Sequence, residues 1–110
     1  MFRRRGPRAK YGAIPTEVNG VRFASRREAF RYSQLMVQVR VRAIRDLELQ
    51  PEFPVVVEGR HICVYKADFR YVDLVTGEVV TEDSKGMRTP VYKLKKRLVE
   101  ALYPVTIREV

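Results

Sequence analysis

Along the chain the spacing of apolar residues changes between two and three or four, and each change marks an element. Thr16-Glu17-Val18-Asn19-Gly20-Val21-Arg22-Phe23 places Asn-Gly between short apolar stretches. Both turn residues tolerate positive φ, so a small peripheral hairpin is predicted. Ser25 with Glu28 three positions on forms a capping box, and Ala29, Tyr32, Leu35, Met36 and Val39 follow at helical spacing. The first helix is therefore predicted from Ser25 to about Arg42. From Ile44 the period falls to two: Ile44, Leu47 and Leu49, then Phe53 to Val57 beyond Pro51, read as two strands or one bent strand. Residues 61–72 alternate without a break, with Ile62, Val64, Lys66, Asp68, Arg70 and Val72 on one side and Cys63, Tyr65, Ala67, Phe69 and Tyr71 on the other. One long strand is expected, returned by a turn at Thr76-Gly77 into residues 78–85 as a central antiparallel hairpin. Gly86 breaks the return strand, Thr89-Pro90 opens a second helix with Val91, Leu94, Leu98, Ala101 and Leu102 as its apolar stripe, and residues 105–110 close as a strand.

This order (helix, three or more strands, helix, strand) predicts an α/β domain with a mixed central sheet flanked by helices. The length of 110 residues suits one domain, placed at residues 13–110, with residues 1–12 as a flexible basic arm. The core of so small a domain is modest, so a second subunit would add materially to stability.

Charge narrows the partners. The net charge of +9 and pI near 10.1 favour a polyanion, nucleic acid first. Arg3, Arg4, Arg5, Arg8 and Lys10 concentrate that charge in the arm, which is either a phosphate-neutralising, salt-sensitive DNA contact or a solubilising tail. Lys93 and Lys96, with Lys95 and Arg97, lie on polar faces of the second helix, a phosphate-contacting or an ordinary solvated surface. Cys63 is the one cysteine and His61 the one histidine, which excludes an intramolecular disulfide and a Cys/His zinc site. Both are expected to be structural, Cys63 in a buried strand. No apolar run is long enough to span a membrane and the start lacks a secretory hydrophobic stretch, so an intracellular, cytoplasmic protein is expected.

The candidate chemistry lies in Glu82-Asp83-Ser84-Lys85. In a strand Asp83 and Lys85 share a face, and Glu82 and Ser84 the other. Pairing across the turn can bring Asp68 beside Asp83, although the register is not fixed by sequence. Two carboxylates on adjoining strands make a set of hard oxygen ligands suited to Mg2+, whose bound water can attack a phosphodiester. An isolated Asp-x-Lys is by default a cross-strand salt bridge on a solvated face. Glu82 and Asp73 are acidic as well, and a register error would exchange their roles with those of Asp68 and Asp83; both stay outside the primary site.

The setting of the motif resembles the PD-(D/E)xK nuclease superfamily, whose core is a helix, a three-stranded antiparallel meander, a helix and a strand. Lys10-Tyr11-Gly12, Thr16-Glu17-Val18-Asn19-Gly20, Ser25-Arg26-Arg27-Glu28-Ala29, Leu47-Glu48-Leu49-Gln50-Pro51, Ala67-Asp68-Phe69 and Val91-Tyr92-Lys93-Leu94-Lys95-Lys96 resemble a family of small phage-encoded endonucleases placed there. The resemblance implies a restriction-endonuclease-like fold, Asp68 and Asp83 as metal ligands, and Lys85 as the catalytic lysine. It implies Mg2+ as cofactor, with Mn2+ as a substitute. It also nominates Glu28 as a catalytic metal ligand, against its local role in the capping box. Gln50 is implied as active-site support, against a satisfied buried amide. Ala67 stands where the superfamily name has proline, a position that varies among members. Related small phage and archaeal enzymes resolve Holliday junctions as homodimers, so the specific expectation is a DNA-recombination resolvase nicking four-way junctions symmetrically in the host cytoplasm. The alternatives are another branched-DNA or restriction-like endonuclease, or a non-catalytic basic DNA-binding module.

Overall fold

A computed structural model describes residues 14–84 and 88–110; the basic arm and Lys85 lie outside the described residues. The ribbon β1 (Thr16–Val18) and β2 (Val21–Phe23) turns at Asn19 and Gly20, both at positive φ as the Asn-Gly signal requires. It is less peripheral than expected, because Phe23 packs among Ala29, Tyr32 and Phe69 in the main core. Helix α1 (Arg26–Arg40) begins where the capping box places it, with Ser25 Oγ accepting from the Glu28 amide at 3.2 Å. Its predicted stripe packs inward: Ala29, Tyr32 and Leu35 are buried, with Met36 and Val39 against them.

A four-stranded mixed sheet follows the order β3 (Ile44–Leu49), β6 (Phe69–Asp73), β7 (Val79–Asp83), β8 (Ile107–Glu109). The first two junctions are antiparallel and the last parallel. The strands β4 (Glu52–Val57) and β5 (Arg60–Lys66) form a separate hairpin through Glu58 and Gly59, again at positive φ. This corrects the expectation of one unbroken strand over 61–72. The chain kinks at Ala67-Asp68, where the Ala67 amide bonds the Pro51 carbonyl and the Asp68 amide bonds Glu82 instead. Opposite it, Gln50 adopts a φ of 52° and donates its amide to the Asp68 carbonyl. One long ribbon is thus bent at Gln50-Pro51 and Ala67-Asp68, half of it in the central sheet and half leaving it.

The departing half packs on helix α2 (Pro90–Leu102), which Thr89 caps by accepting from the Tyr92 amide at 3.1 Å. The face α2 buries is Tyr92 and Val99, with Leu98 partly buried, against Phe53, Val55, Tyr65 and Ile107. Val91, Leu94, Ala101 and Leu102, assigned to the apolar stripe, are exposed. Both stripes have helical spacing, and Tyr92 settled the choice because its ring fills the gap beside Tyr65 while its hydroxyl reaches Glu109 at 2.8 Å. No helix among the described residues is long and apolar enough to cross a membrane.

Candidate metal centre

Three elements converge on the kink. The β6–β7 register pairs Phe69 with Glu82, so one step further Asp68 stands opposite Asp83 at the open end of the hairpin. Asp68 Oδ2 accepts the Ser84 amide at 2.6 Å. Asp83 is fully buried and accepts a hydrogen bond from the Tyr65 hydroxyl, while its carbonyl holds the Val110 amide at 3.1 Å. Glu28, in the first turn of α1, is also buried and close enough to act on Asp68.

The electrostatics follow from this crowding. Burial first, then the Asp83 and Glu28 carboxylates, push the Asp68 carboxyl up to about 8; a hydrogen bond with Asp83 adds to the rise and the Ser84 amide opposes it. Close to Asp83 and Glu28, Asp68 is thus the carboxyl that holds its proton well above the usual range. Burial and the bond to Asp83 raise the Tyr65 hydroxyl far above its ordinary range, so Tyr65 stays a donor.

A pH dependence is expected from the Asp68 shift. Unfolded Asp68 titrates near 3.8 and folded Asp68 near 8. Between these values the folded chain keeps a proton that the unfolded chain has released, so in EDTA the stability contribution is full below the lower value and falls as pH rises toward the upper one. Urea titrations of the native chain and Asp68→Asn should diverge across this window, with the native chain losing stability relative to the variant. Parallel curves would exclude the shift.

Glu82, on the opposite face, is committed elsewhere. It receives Arg31 Nε at 2.8 Å and Nη2 at 2.6 Å, and the Tyr71 hydroxyl as well, all on the α1 side of the sheet. Burial and Glu82 raise Tyr71 to about 12. Asp73 caps its own turn by accepting the Val75 and Thr76 amides at 2.8 and 3.2 Å. Strand alternation puts Glu82 on the face away from Asp83, and its bonds to Arg31 and Tyr71 lie on the α1 side.

Other predicted residues are placed less simply. Gln50 is exposed at the kink rather than in a strand, and it touches the centre through its backbone amide alone among the bonds described. Lys96 is half-buried and paired with Glu100 at 3.2 Å, so its charge is partly neutralised, while Lys93 is exposed. His61 is exposed and Cys63 only half-buried, both in β5. Arg3, Arg4, Arg5, Arg8, Lys10 and Lys85 fall outside the described residues. Tyr65, which holds Asp83, was missed because unbroken alternation put it on the face away from Asp68; the kink removes that constraint.

Among the described residues no group of three or more His, Cys, Asp or Glu side chains is arranged to hold a metal ion. Glu28 thus adds negative potential near Asp68 without closing a three-carboxylate cage. The donor set nevertheless fits magnesium, which keeps several waters and commonly takes only one or two carboxylates. A cation bound between Asp68 and Asp83 would relieve the repulsion that raises the Asp68 carboxyl.

Fold and site together define a small mixed α/β domain with a paired-carboxylate centre at a sheet end. The chain belongs to the family described as Protein of unknown function (DUF1064), which matches residues 8–108. No curated protein and no solved structure gives a significant match.

Proposed function

We propose that the protein is a magnesium-dependent DNA endonuclease of the PD-(D/E)xK superfamily, with a restriction-endonuclease-like fold, acting on four-way junctions. The observation that carries this reading is the juxtaposition of Asp68, in the kink just before β6, and Asp83, at the end of β7, with Lys85 two positions after Asp83 in sequence. The order α1, β3, β6, β7, α2, β8, with β8 parallel to β7, supports it as the helix, meander, helix, strand arrangement of that superfamily.

Asp68 and Asp83 would hold the ion, Asp68 from the accessible side and Asp83 from the buried one. When bound, Mg2+ supplies an acidified water and offsets charge developing on the phosphate. Tyr65 fixes the Asp83 carboxylate by donation, and the Ser84 amide fixes Asp68. Glu28 keeps the pocket anionic, favouring a divalent cation over an empty site. Lys85 is assigned the role of holding a phosphate oxygen or polarising the attacking water, a role that rests on its sequence position. The basic arm, with Lys93, supplies phosphate contacts whose strength falls with salt. Resolution needs two symmetric nicks and one domain offers one centre, so a two-fold homodimer is proposed.

The test is to incubate the protein with Mg2+ and a four-way junction or a linear duplex of matched sequence. Paired cuts confined to the junction are expected. Equal or greater duplex cleavage points to a restriction-like enzyme of the same fold, and metal-independent binding without cleavage to a binding module.

A further inference from the structure

On α1 an exposed aromatic ring lines a cleft that also reaches Ser84, the residue after Asp83. Phe30 is 66% exposed, two positions beyond Glu28. One exposed apolar side chain is ordinary, and it is the polar frame around this ring that carries an argument. A cleft of about 290 Å3 lies against it, lined by Arg27, Phe30, Arg31, Gln34, Ser84 and Val110.

Each polar wall of this cleft is oriented. Glu82 takes Nε and Nη2 of Arg31, which leaves Nη1 to donate to Gln34 Oε1 at 3.0 Å. With its oxygen engaged, the Gln34 amide turns its NH2 away from Arg31 as a donor. Arg27 Nε donates to the main-chain oxygen of Val110 at 3.3 Å, which holds a guanidinium at the cleft edge. Ser84, on the sheet side, donates its amide to Asp68, so the cleft and the acidic pair share a wall. A flat ring, an oriented amide donor and a cation in one small cleft match the face, edge and phosphate of a single nucleotide.

We propose that this cleft receives one unpaired nucleobase of the substrate strand, stacked on Phe30, with Gln34 Nε2 donating to the base and Arg27 meeting the adjoining phosphate. The proposal rests on the nuclease reading and deepens it: the substrate is DNA whose strands separate beside the scissile phosphate. In continuous duplex both faces of every base are covered by its neighbours, so Phe30 finds no free face. A second copy of this chain is the rival occupant, but an apolar contact between copies has no use for an oriented amide and would bring Arg27 and its basic surroundings toward their like.

The test uses the full chain in EDTA at fixed salt, with fluorescence anisotropy on a forked DNA and on a duplex of equal length. Because the base would lose its stacking partner, Phe30→Ala should weaken forked-DNA binding about tenfold and duplex binding by less than about twofold. Phe30→Trp should restore the fork preference, and Gln34→Ala should reduce it. Equal losses on both DNAs, or none, overturn the proposal. So does a fall in the sedimentation mass of Phe30→Ala with DNA discrimination unchanged, which identifies a contact between copies. Cleavage with Mg2+, run in parallel, separates the two readings. A Phe30-dependent fork preference without cleavage keeps the cleft and removes the nuclease, whereas junction cleavage indifferent to Phe30→Ala does the reverse.

Discussion

Asp68→Asn is expected to lower magnesium-dependent DNA cleavage by more than about a hundredfold, since even outer groups that only orient metal ligands typically cost 10–100-fold. DNA binding should persist, because the proposed phosphate contacts are Lys and Arg side chains rather than this acid. The fold should persist too. Asp68 sits among buried acids that already keep it protonated toward pH 8, so a neutral amide of the same shape removes repulsion and can still accept the Ser84 amide. Cleavage rates, anisotropy and urea midpoints on the same preparation check all three. A variant that cuts junctions at the native rate would sink the assignment of Asp68 as a ligand.

Arg31→Met is expected to destabilise the fold by about 3–5 kcal/mol, the usual consequence of removing one partner from a buried ion pair. Glu82 is wholly buried, and Arg31 meets both of its oxygens from α1 while being only one-fifth exposed itself. Without the guanidinium, Glu82 keeps only the Tyr71 donor among its described partners. Either it takes up a proton or α1 shifts from β7, and each costs stability. The double variant Arg31→Met with Glu82→Gln should recover much of the loss, because no buried charge then stands alone. Urea unfolding measures both; a single-variant loss below about 1 kcal/mol would place the pair among weak surface bridges instead.

Much of this was legible in local pattern. The Ser25 cap, the Thr89-Pro90 start and the Asn19-Gly20 turn depend on residues within a few positions of one another, and the structure places each as expected. The separation of Glu82 from Asp83 followed from strand alternation alone. Alternation failed where the partner strand changes: nothing in residues 61–72 shows that Ala67 bonds Pro51 while Asp68 bonds Glu82, so the kink stayed hidden and Tyr65 with it. On α2 two apolar stripes compete, and the sequence holds no local signal for which one meets β4 and β5.

By itself, then, the sequence determined the two helix starts, the Asn19-Gly20 turn and the basic charge, because caps and turns are short-range, but not where the strand run of residues 61–72 divides. Only the tertiary structure decided that Asp68 faces Asp83, that Tyr65 holds Asp83 and that Arg31 is drawn to Glu82. Those relations depend on register and on which strand a kinked ribbon pairs with, and both are settled by contacts between residues far apart in the chain.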